Sequence, residues 1–428
     1  MTADNLINVK DGDNLAIFQI SNTSKFAFLV KVYPSKSAFQ FIDYIRSDFQ
    51  TPLDTNIVNN ESILRHEIVS IVTSLENSIG ERVKNIAIVI ESHKVENNIY
   101  KAIIRKGKNL KITKYDLAQM ARNTIGKHTK SFTDNYILDV FSSIYTIDKK
   151  FTDNNPIGME GSHVSADIAV LSIPKFELAR IVDSFSSYGI NVIDCVPAII
   201  GISAVRSLKN KNTMIIQVDA NNTTCVCCVE DFPMAIVSIP IGFKSITDAL
   251  SKKFKISYKE AKEASLLHVD VSIGIEDLDK VNQYASYLPK GEIMDDYIIN
   301  MSKSKSISHK SLSEITRQKT RLILIKVKEA LLNKNIDLKV DTIVITGFKI
   351  KGIEELCFDE FKIRTEVDEM SVNLSSEITD LHTMKSAYIC NSVVYYLLKK
   401  QKRLSRVFKK TLFDFLPSGW TCFLDEIL

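Results

Sequence analysis

Asn155-Pro-Ile-Gly-Met-Glu-Gly-Ser-His-Val-Ser-Ala-Asp-Ile-Ala-Val170 is the stretch on which the fold turns. A proline and two glycines three residues apart mark a tight turn. Behind them Val164, Ala166, Ile168 and Val170 alternate with the intervening residues, the period of a strand with one buried face. This turn and strand close a small α+β module over residues 93–171. Thr113 and Asp116 open its helix as a capping box with Asp in place of Glu, and Leu117, Met120, Ala121 and Ile125 carry that helix. A strand over 136–147 precedes the glycine turn.

Outward from the module the chain alternates between strand and helix patterns. Residues 15–20 and 26–32 read as a hairpin joined by Ser21-Asn22-Thr23-Ser24-Lys25. Leu64, Ile68, Ile71, Val72, Leu75 and Ile79 make a helical stripe, and 85–91 reads as a buried strand. After the module, Pro174 suits the first turn of a helix bearing Phe176, Ala179, Ile181, Val182 and Phe185, and Gly189 ends it. Next come strand 190–196, helix 198–208 and strands 213–219, 224–230 and 234–240. A helical region spans 244–336, with a capping box at Ser257 and Glu260. Strand 341–346, a short helix, strand 361–367 and helix 380–400 follow. The plan is two α/β units, each opening strand–turn–strand and each with an inserted module.

The 428 residues are 45% hydrophobic, which suits a globular chain of two or three domains. No apolar run is long enough to span a bilayer as a helix. The N-terminus lacks a basic segment followed by an apolar one, so no secretory signal is expected. Seven scattered cysteines fit a reducing cytosol, and a net charge of +4 gives no ground for nucleic-acid binding. Glycine is scarce, at 14 residues, against a usual share of about 7%. Cys225, Cys227 and Cys228 lie in a predicted strand, where neighbours point to opposite faces, so core packing is preferred to a metal site.

The stretch at 155–170 closely resembles the P-x-G-M-x-G segment of the bacterial cell-division family FtsA. Other segments follow in family order. Gly189-Ile-Asn-Val-Ile-Asp-Cys-Val-Pro-Ala198 is similar to the crossing between lobes, and Met214-Ile-Ile-Gln-Val-Asp-Ala-Asn-Asn-Thr-Thr224 to the second phosphate loop. Ile239-Pro-Ile-Gly242 and Ile343-Val-Ile-Thr-Gly347 with Lys351-Gly-Ile353 resemble the following strand end and the adenosine-side loop. The resemblance covers about 10–400. It implies a two-lobed actin-like (ribonuclease H-like) nucleotide-binding α/β fold with an inserted α+β subdomain and a C-terminal amphipathic helix. The implied boundaries are 10–92 with 172–210 for the first lobe and 93–171 for the inserted subdomain. The second lobe is 211–237 with 337–400, its small subdomain 238–336, and the tail 401–428.

The resemblance also implies ATP contacts at Thr23, Ser24, Lys25, Asp219, Thr223, Thr224, Thr346 and Gly347. The chain departs from the pattern at this site. An actin-like site needs glycine turns that let backbone N–H groups approach phosphates, and an acid in each turn for a metal-bound water. Gln19 stands for the first acid, Ser21 for the first glycine and Cys225 for the final Asp, and Asp219-Ala-Asn-Asn-Thr-Thr-Cys225 holds no glycine. No catalytic residue and no ATP hydrolysis are therefore expected. The alternative is that these segments only join strands.

The family binds the C-terminal peptide of tubulin-like FtsZ on the second lobe's small subdomain. Here Glu314 matches that motif and Ser311 replaces its arginine, so Lys310 or Arg317 would supply the positive charge. Residues 402–416, placed on a helix, gather Leu404, Val407, Phe408, Thr411, Leu412, Phe415 and Leu416 in one stripe. Lys402, Arg403, Arg406, Lys409, Lys410 and Asp414 lie opposite, and Phe413 falls on the polar face. Seven basic residues lie between Lys399 and Lys410. At roughly 1 kcal/mol each near an anionic surface they give a term of several kcal/mol. After Pro417, Trp420 suits the headgroup level.

The expectation is an FtsA-like tether at the cytoplasmic face of the inner membrane. It would self-associate into filaments, hold FtsZ and recruit later divisome proteins. The alternatives are a pilus-assembly scaffold similar to PilM, which lacks the basic tail, and an actin-like ATPase.

Overall fold

The computed structural model describes residues 9–20, 24–48, 61–107, 110–128, 134–142, 145–151, 156–207, 211–229, 232–267, 269–271, 298–302, 305–334, 336, 339–348, 350–368 and 381–408. Contacts gather the chain into two compact units. One is 1–210 with 228–236 and 370–428; the other is 211–227 with 237–369.

The first unit opens with an antiparallel meander of β1 (Asn14–Ile20), β2 (Ser24–Tyr33) and β3 (Ala38–Asp48). After α1 (Glu61–Ile79), β4 (Asn85–Ile90) joins β1 in parallel. The inserted module comprises β5 (Glu96–Arg105), α2 (Lys114–Lys127), β6 (Asn135–Ser142), β7 (Thr146–Ile147), β8 (Lys150–Phe151) and β9 (His163–Pro174). The chain returns through α3 (Lys175–Ser186) to β10 (Asn191–Pro197), beside β4, and then α4 (Ala198–Arg206). The sheet order is β10-β4-β1-β2-β3, and Phe18 and Phe185 meet edge to face at 5.0 Å beneath it.

The module has its own core. Long β9 pairs with β5, β6 and β7, and α2 lays Leu117, Met120, Ala121 and Ile125 against Val164, Ala166, Ile168 and Val170. The capping box forms: Thr113 Oγ1 accepts from Asp116 N at 3.2 Å while Thr113 N donates to Asp116 Oδ2 at 2.7 Å. The glycine turn has a steric cause at each position. Gly158 takes φ +90° as Met159 N closes on Pro156 O at 3.1 Å. At Gly161 a Cβ would stand 2.3 Å from Ile147 Cγ2. Next to it, the Asp148 carboxylate accepts the Ser162 amide and hydroxyl and the His163 amide, which holds its carboxyl below the usual range.

The second unit carries β11 (Thr213–Val218), most of β12 (Thr223–Val229), the end of β13 (Phe232–Ile239), whose residues 232–236 group with the first unit, α5 (Lys244–Phe254), α6 (Tyr258–Leu267), β14 (Ile298–Ser302), β15 (Lys305–Ser308), α7 (His309–Asn333), β16 (Thr342–Gly347), α8 (Ile353–Phe361) and β17 (Thr365–Val367). Its sheet runs β13-β12-β11-β16-β17, with β16 parallel to both β11 and β17. Ser257 and Glu260 form the expected box ahead of α6. The β14–β15 hairpin corrects the helical region expected over 244–336, and the strand expected over 361–367 shortens to β17 because α8 runs to Phe361.

The contacts of the last helix, α9 (Leu381–Phe408), group it with the first unit, whereas the resemblance implies the second lobe for 337–400. It crosses α4 where Gly201 lets the backbones close up, since a Cβ there would stand 2.7 Å from Val393 Cγ2. Its base is fixed by polar contacts. Lys399 Nζ donates to Ala204 O at 2.7 Å, Gln401 Nε2 to Val9 O at 2.8 Å, and buried Lys400 lies 3.0 Å from Asp194 Oδ2 while donating to Leu138 O at 3.1 Å. The Tyr396 hydroxyl donates to Asp139. Burial pushes the Asp194 carboxyl above its ordinary range, against the pull of Lys400. Removing one partner of a buried pair strands the other charge. Lys400→Met should therefore lose about 3–5 kcal/mol in urea unfolding, and Asp194→Asn with Lys400→Met should recover most of it. A single variant as stable as the wild type would show that the pair does not hold the helix.

Candidate functional site

In parallel sheets, ligands bind outside the carboxyl ends of the strands. In the second unit that end belongs to β11 and β16, and Asp219, Gly242 and Gly347 gather there. Asp219 N bonds Asn222 O at 2.9 Å, closing a turn between β11 and β12. Phe243 N and Lys244 N then donate to Asp219 O and Ala220 O at 2.9 and 2.8 Å. A Cβ on Gly242 would sit 2.4 Å from Asp219 O and 2.7 Å from Asn222 N. Gly347, at φ +97°, would put a Cβ 2.1 Å from Val218 O, and Phe348 N bonds that same oxygen at 2.9 Å. Both glycines are thus required by backbone packed on backbone.

The side chains at this end turn inward. Thr223 Oγ1 donates to Ile241 O at 2.8 Å, and Thr224 Oγ1 lies 3.2 Å from Ser238 Oγ; both threonines are buried in β12. Buried Thr346 pairs with Gln217 across β16 and β11. Gln217 Nε2 donates to Asp219 Oδ1 at 3.2 Å, which fixes the amide's orientation and leaves its Oε1 buried without a partner. Gln19 Oε1, at the end of β1 in the first unit, is likewise buried and unpartnered. Phe243 and Phe348 stack at 4.5 Å and 8°, and Lys262 stands over Phe348 at 5.5 Å.

A phosphate needs converging donors; the orphaned atom at this end of the second unit is an acceptor oxygen, Gln217 Oε1. The 219–222 turn spends an amide on itself, and two threonine hydroxyls expected at a ligand serve the sheet. Of the residues that the resemblance places at ATP, Thr223 and Thr224 thus have their hydroxyls engaged within the second unit. Of the remaining expected contacts, Thr23 lies outside the described residues, as do the side chains of Ser24 and Lys25. Cys225, Cys227 and Cys228 are buried in β12, and no metal-holding group of His, Cys, Asp and Glu occurs among the described residues.

The residues expected to hold a partner peptide lie on α7. Lys310, Glu314 and Arg317 are half-buried. Glu314 Oε1 accepts from Gln318 at 3.3 Å, while the Arg317 guanidinium donates to Val271 O. Arg317 is thus committed to the backbone of its own unit. Of the expected membrane residues, Leu404, Val407 and Phe408 fall on α9, but their side chains lie outside the described residues. Lys409, Lys410, Leu412, Phe415, Leu416 and Trp420 lie wholly outside them. Among the described residues no helix is long and apolar enough to cross a membrane.

Neither a family model nor a curated protein sequence matches the chain. Solved structures do. A PilM–PilN type IV pilus biogenesis complex matches with TM-score 0.53 and 12% identity, over 90% of this chain and 97% of the other. MreB5 of Spiroplasma citri bound to AMPPNP gives TM-score 0.46 and 9% identity, over 92% and 98%. The ethanolamine utilization protein EutJ of Carboxydothermus hydrogenoformans gives 0.44 and 8%, over 92% and 95%. The chain has an actin-like ATPase fold. Gly347→Ala tests whether this glycine serves the fold or a ligand. It should cost roughly 1–3 kcal/mol of stability without any nucleotide present; an unchanged Tm would return the residue to a ligand role.

Proposed function

We propose that this protein is a membrane-anchored actin-like scaffold that works without hydrolysing ATP. The observation that carries the reading is α9. It runs without a break from the first unit's core to Phe408, so the amphipathic segment begins on a helix whose base is already fixed. Lys399 and Lys400 belong to that base. The other five of the seven basic residues between Lys399 and Lys410 are Lys402, Arg403, Arg406, Lys409 and Lys410. The electrostatic term falls in proportion but stays at several kcal/mol, at roughly 1 kcal/mol per charge. The apolar stripe adds its burial.

The finer reading is an FtsA-like tether at the cytoplasmic face of the inner membrane, with FtsZ as the filament held and later divisome proteins recruited to it. Lys310 on α7 would supply the positive charge for an acidic FtsZ C-terminal peptide beside Glu314, while Arg317 donates to Val271 O within its own unit. The inward-turned threonines and the orphaned acceptor oxygen of Gln217 support a scaffold that does not cycle ATP.

Truncation after Lys402 retains the contacts of Lys399, Lys400 and Gln401. The product should fold with an unchanged Tm and no longer sediment with anionic vesicles; undiminished sedimentation would remove the membrane claim. A pull-down with the FtsZ C-terminal peptide tests the partner. Capture should weaken about tenfold in Lys310→Glu, a loss on the scale of one interfacial charge pair. No capture by the wild type would leave the scaffold without FtsZ.

A further inference from the structure

Exposed apolar side chains are concentrated on the inserted module. Among the described residues, Ile99, Ile103, Leu110, Tyr115, Tyr136, Ile157 and Met159 are seven of the sixteen large ones on the surface. Four of them share one end of the module. There β5 stops at Arg105 and β9 starts at His163, and the segments beyond run side by side. Lys106 N bonds Ser162 O and Ile112 N bonds Met159 O, each at 2.8 Å, and Gly158 N returns to Ile112 O at 2.8 Å. Leu110 (52% exposed), Ile157 and Met159 stand on these paired segments, and Tyr115 (55%) on the first turn of α2 just after them. Exposed Arg105, Lys111 and Lys114 surround them, and Lys106 is already paired with Asp116. Two acids share this end: Glu160, across from Lys111, and Asp148, whose carboxylate is held by the Ser162 and His163 amides.

An isolated apolar side chain on a surface needs no explanation; a cluster of four inside a basic rim does. We propose that this end of the inserted module is a second membrane contact, in which Leu110, Tyr115, Ile157 and Met159 enter the headgroup region of an anionic bilayer and Arg105, Lys111 and Lys114 meet its phosphates. The charge sign selects the surface. Aliphatic side chains with a tyrosine are what an interface accepts. The inference rests on the tail reading above and adds an orientation to it. Lys400 grips Leu138 on β6, which lies beside Leu171 and Ser172 of β9, whereas the apolar cluster lies past His163 at the other end of that strand. Those ends are about 30 Å apart at the usual strand rise. Two anchors so spaced set the tilt of the unit on the surface, where a tail alone would leave it free to swing.

Photo-crosslinking on the full chain tests this. The photoreactive residue p-benzoylphenylalanine is placed at Leu110, at Tyr115, or at Leu332 as an exposed control on α7, and the protein is bound to phosphatidylglycerol-containing vesicles. Lipid adducts are expected at positions 110 and 115 and not at 332. Lys111→Glu with Lys114→Glu should cut adduct yield about tenfold while the tail still brings the protein down with the vesicles. Full sedimentation without adducts at 110 and 115 would overturn this contact and leave the tail standing. Adducts to a second copy of the protein, or equal yield at 332, would also overturn it. Loss of sedimentation in the unsubstituted chain would remove both contacts together.

Discussion

One buried ammonium organises the first unit. Lys400 sits between Asp194 at an irregular point of β10 and the Leu138 carbonyl at an irregular point of β6, so a single side chain joins the central sheet, the inserted module and the last helix. Both strands break register beside the residues involved, Val192/Asp194 in β10 and Ile137/Asp139 in β6. A bulge re-aims a side chain, and here it lets Asp194 and Asp139 reach Lys400 and Tyr396. The lysine is costly to bury, and the two strand irregularities supply the acceptors that make its burial tolerable. Because α9 continues from this point, its direction on leaving the unit is set by the interior and not by a linker.

Much of this architecture was legible in the sequence where local chemistry determines local geometry. The boxes at Thr113–Asp116 and Ser257–Glu260 formed as read, because a capping residue satisfies backbone donors two or three positions away and needs nothing distant. The turn at Pro156–Gly161 was legible for a related reason: its glycines answer to φ at one position and to an adjacent hairpin at the other. Elements whose stability is non-local were missed. Edge strand β3 and the module's first strand β5 carry mixed faces with half-exposed residues, so no clean alternation announces them. The hairpin β14–β15 is a pair of strands of five and four residues, too short to announce a period without the partner strand. The role of Lys400 was misread for the same cause. A run of lysines looks like a solvated face, and nothing local marks the one that turns inward.

The candidate nucleotide site divides along the same line. The sequence showed that the acids and glycines of a phosphate cradle were missing at Gln19, Ser21 and Cys225. It did not show what the remaining threonines do. Thr223 and Thr224 keep the positions implied by resemblance, yet a strand faces both sides, and in β12 their hydroxyls bond Ile241 O and Ser238 instead of pointing outward. A hydroxyl's partner depends on which strand lies beside it, and that is a property of the sheet.

The scarcity of glycine now has a structural content. Where backbone must touch backbone or take positive φ, glycine persists: Gly158 in its turn, Gly161 under Ile147, Gly201 between two helices, Gly242 on the 219–222 turn and Gly347 on Val218. Where an actin-like chain would use glycine to admit a phosphate, this one has Ser21, Asn221 and Asn222. The two classes separate because they answer to different constraints. A contact internal to the fold penalises any added Cβ whether or not a ligand is present, whereas a turn shaped for a ligand loses its demand for glycine once the ligand no longer matters. The glycines at 158, 161, 201, 242 and 347 therefore mark positions where the fold itself leaves no room for a side chain or asks for positive φ.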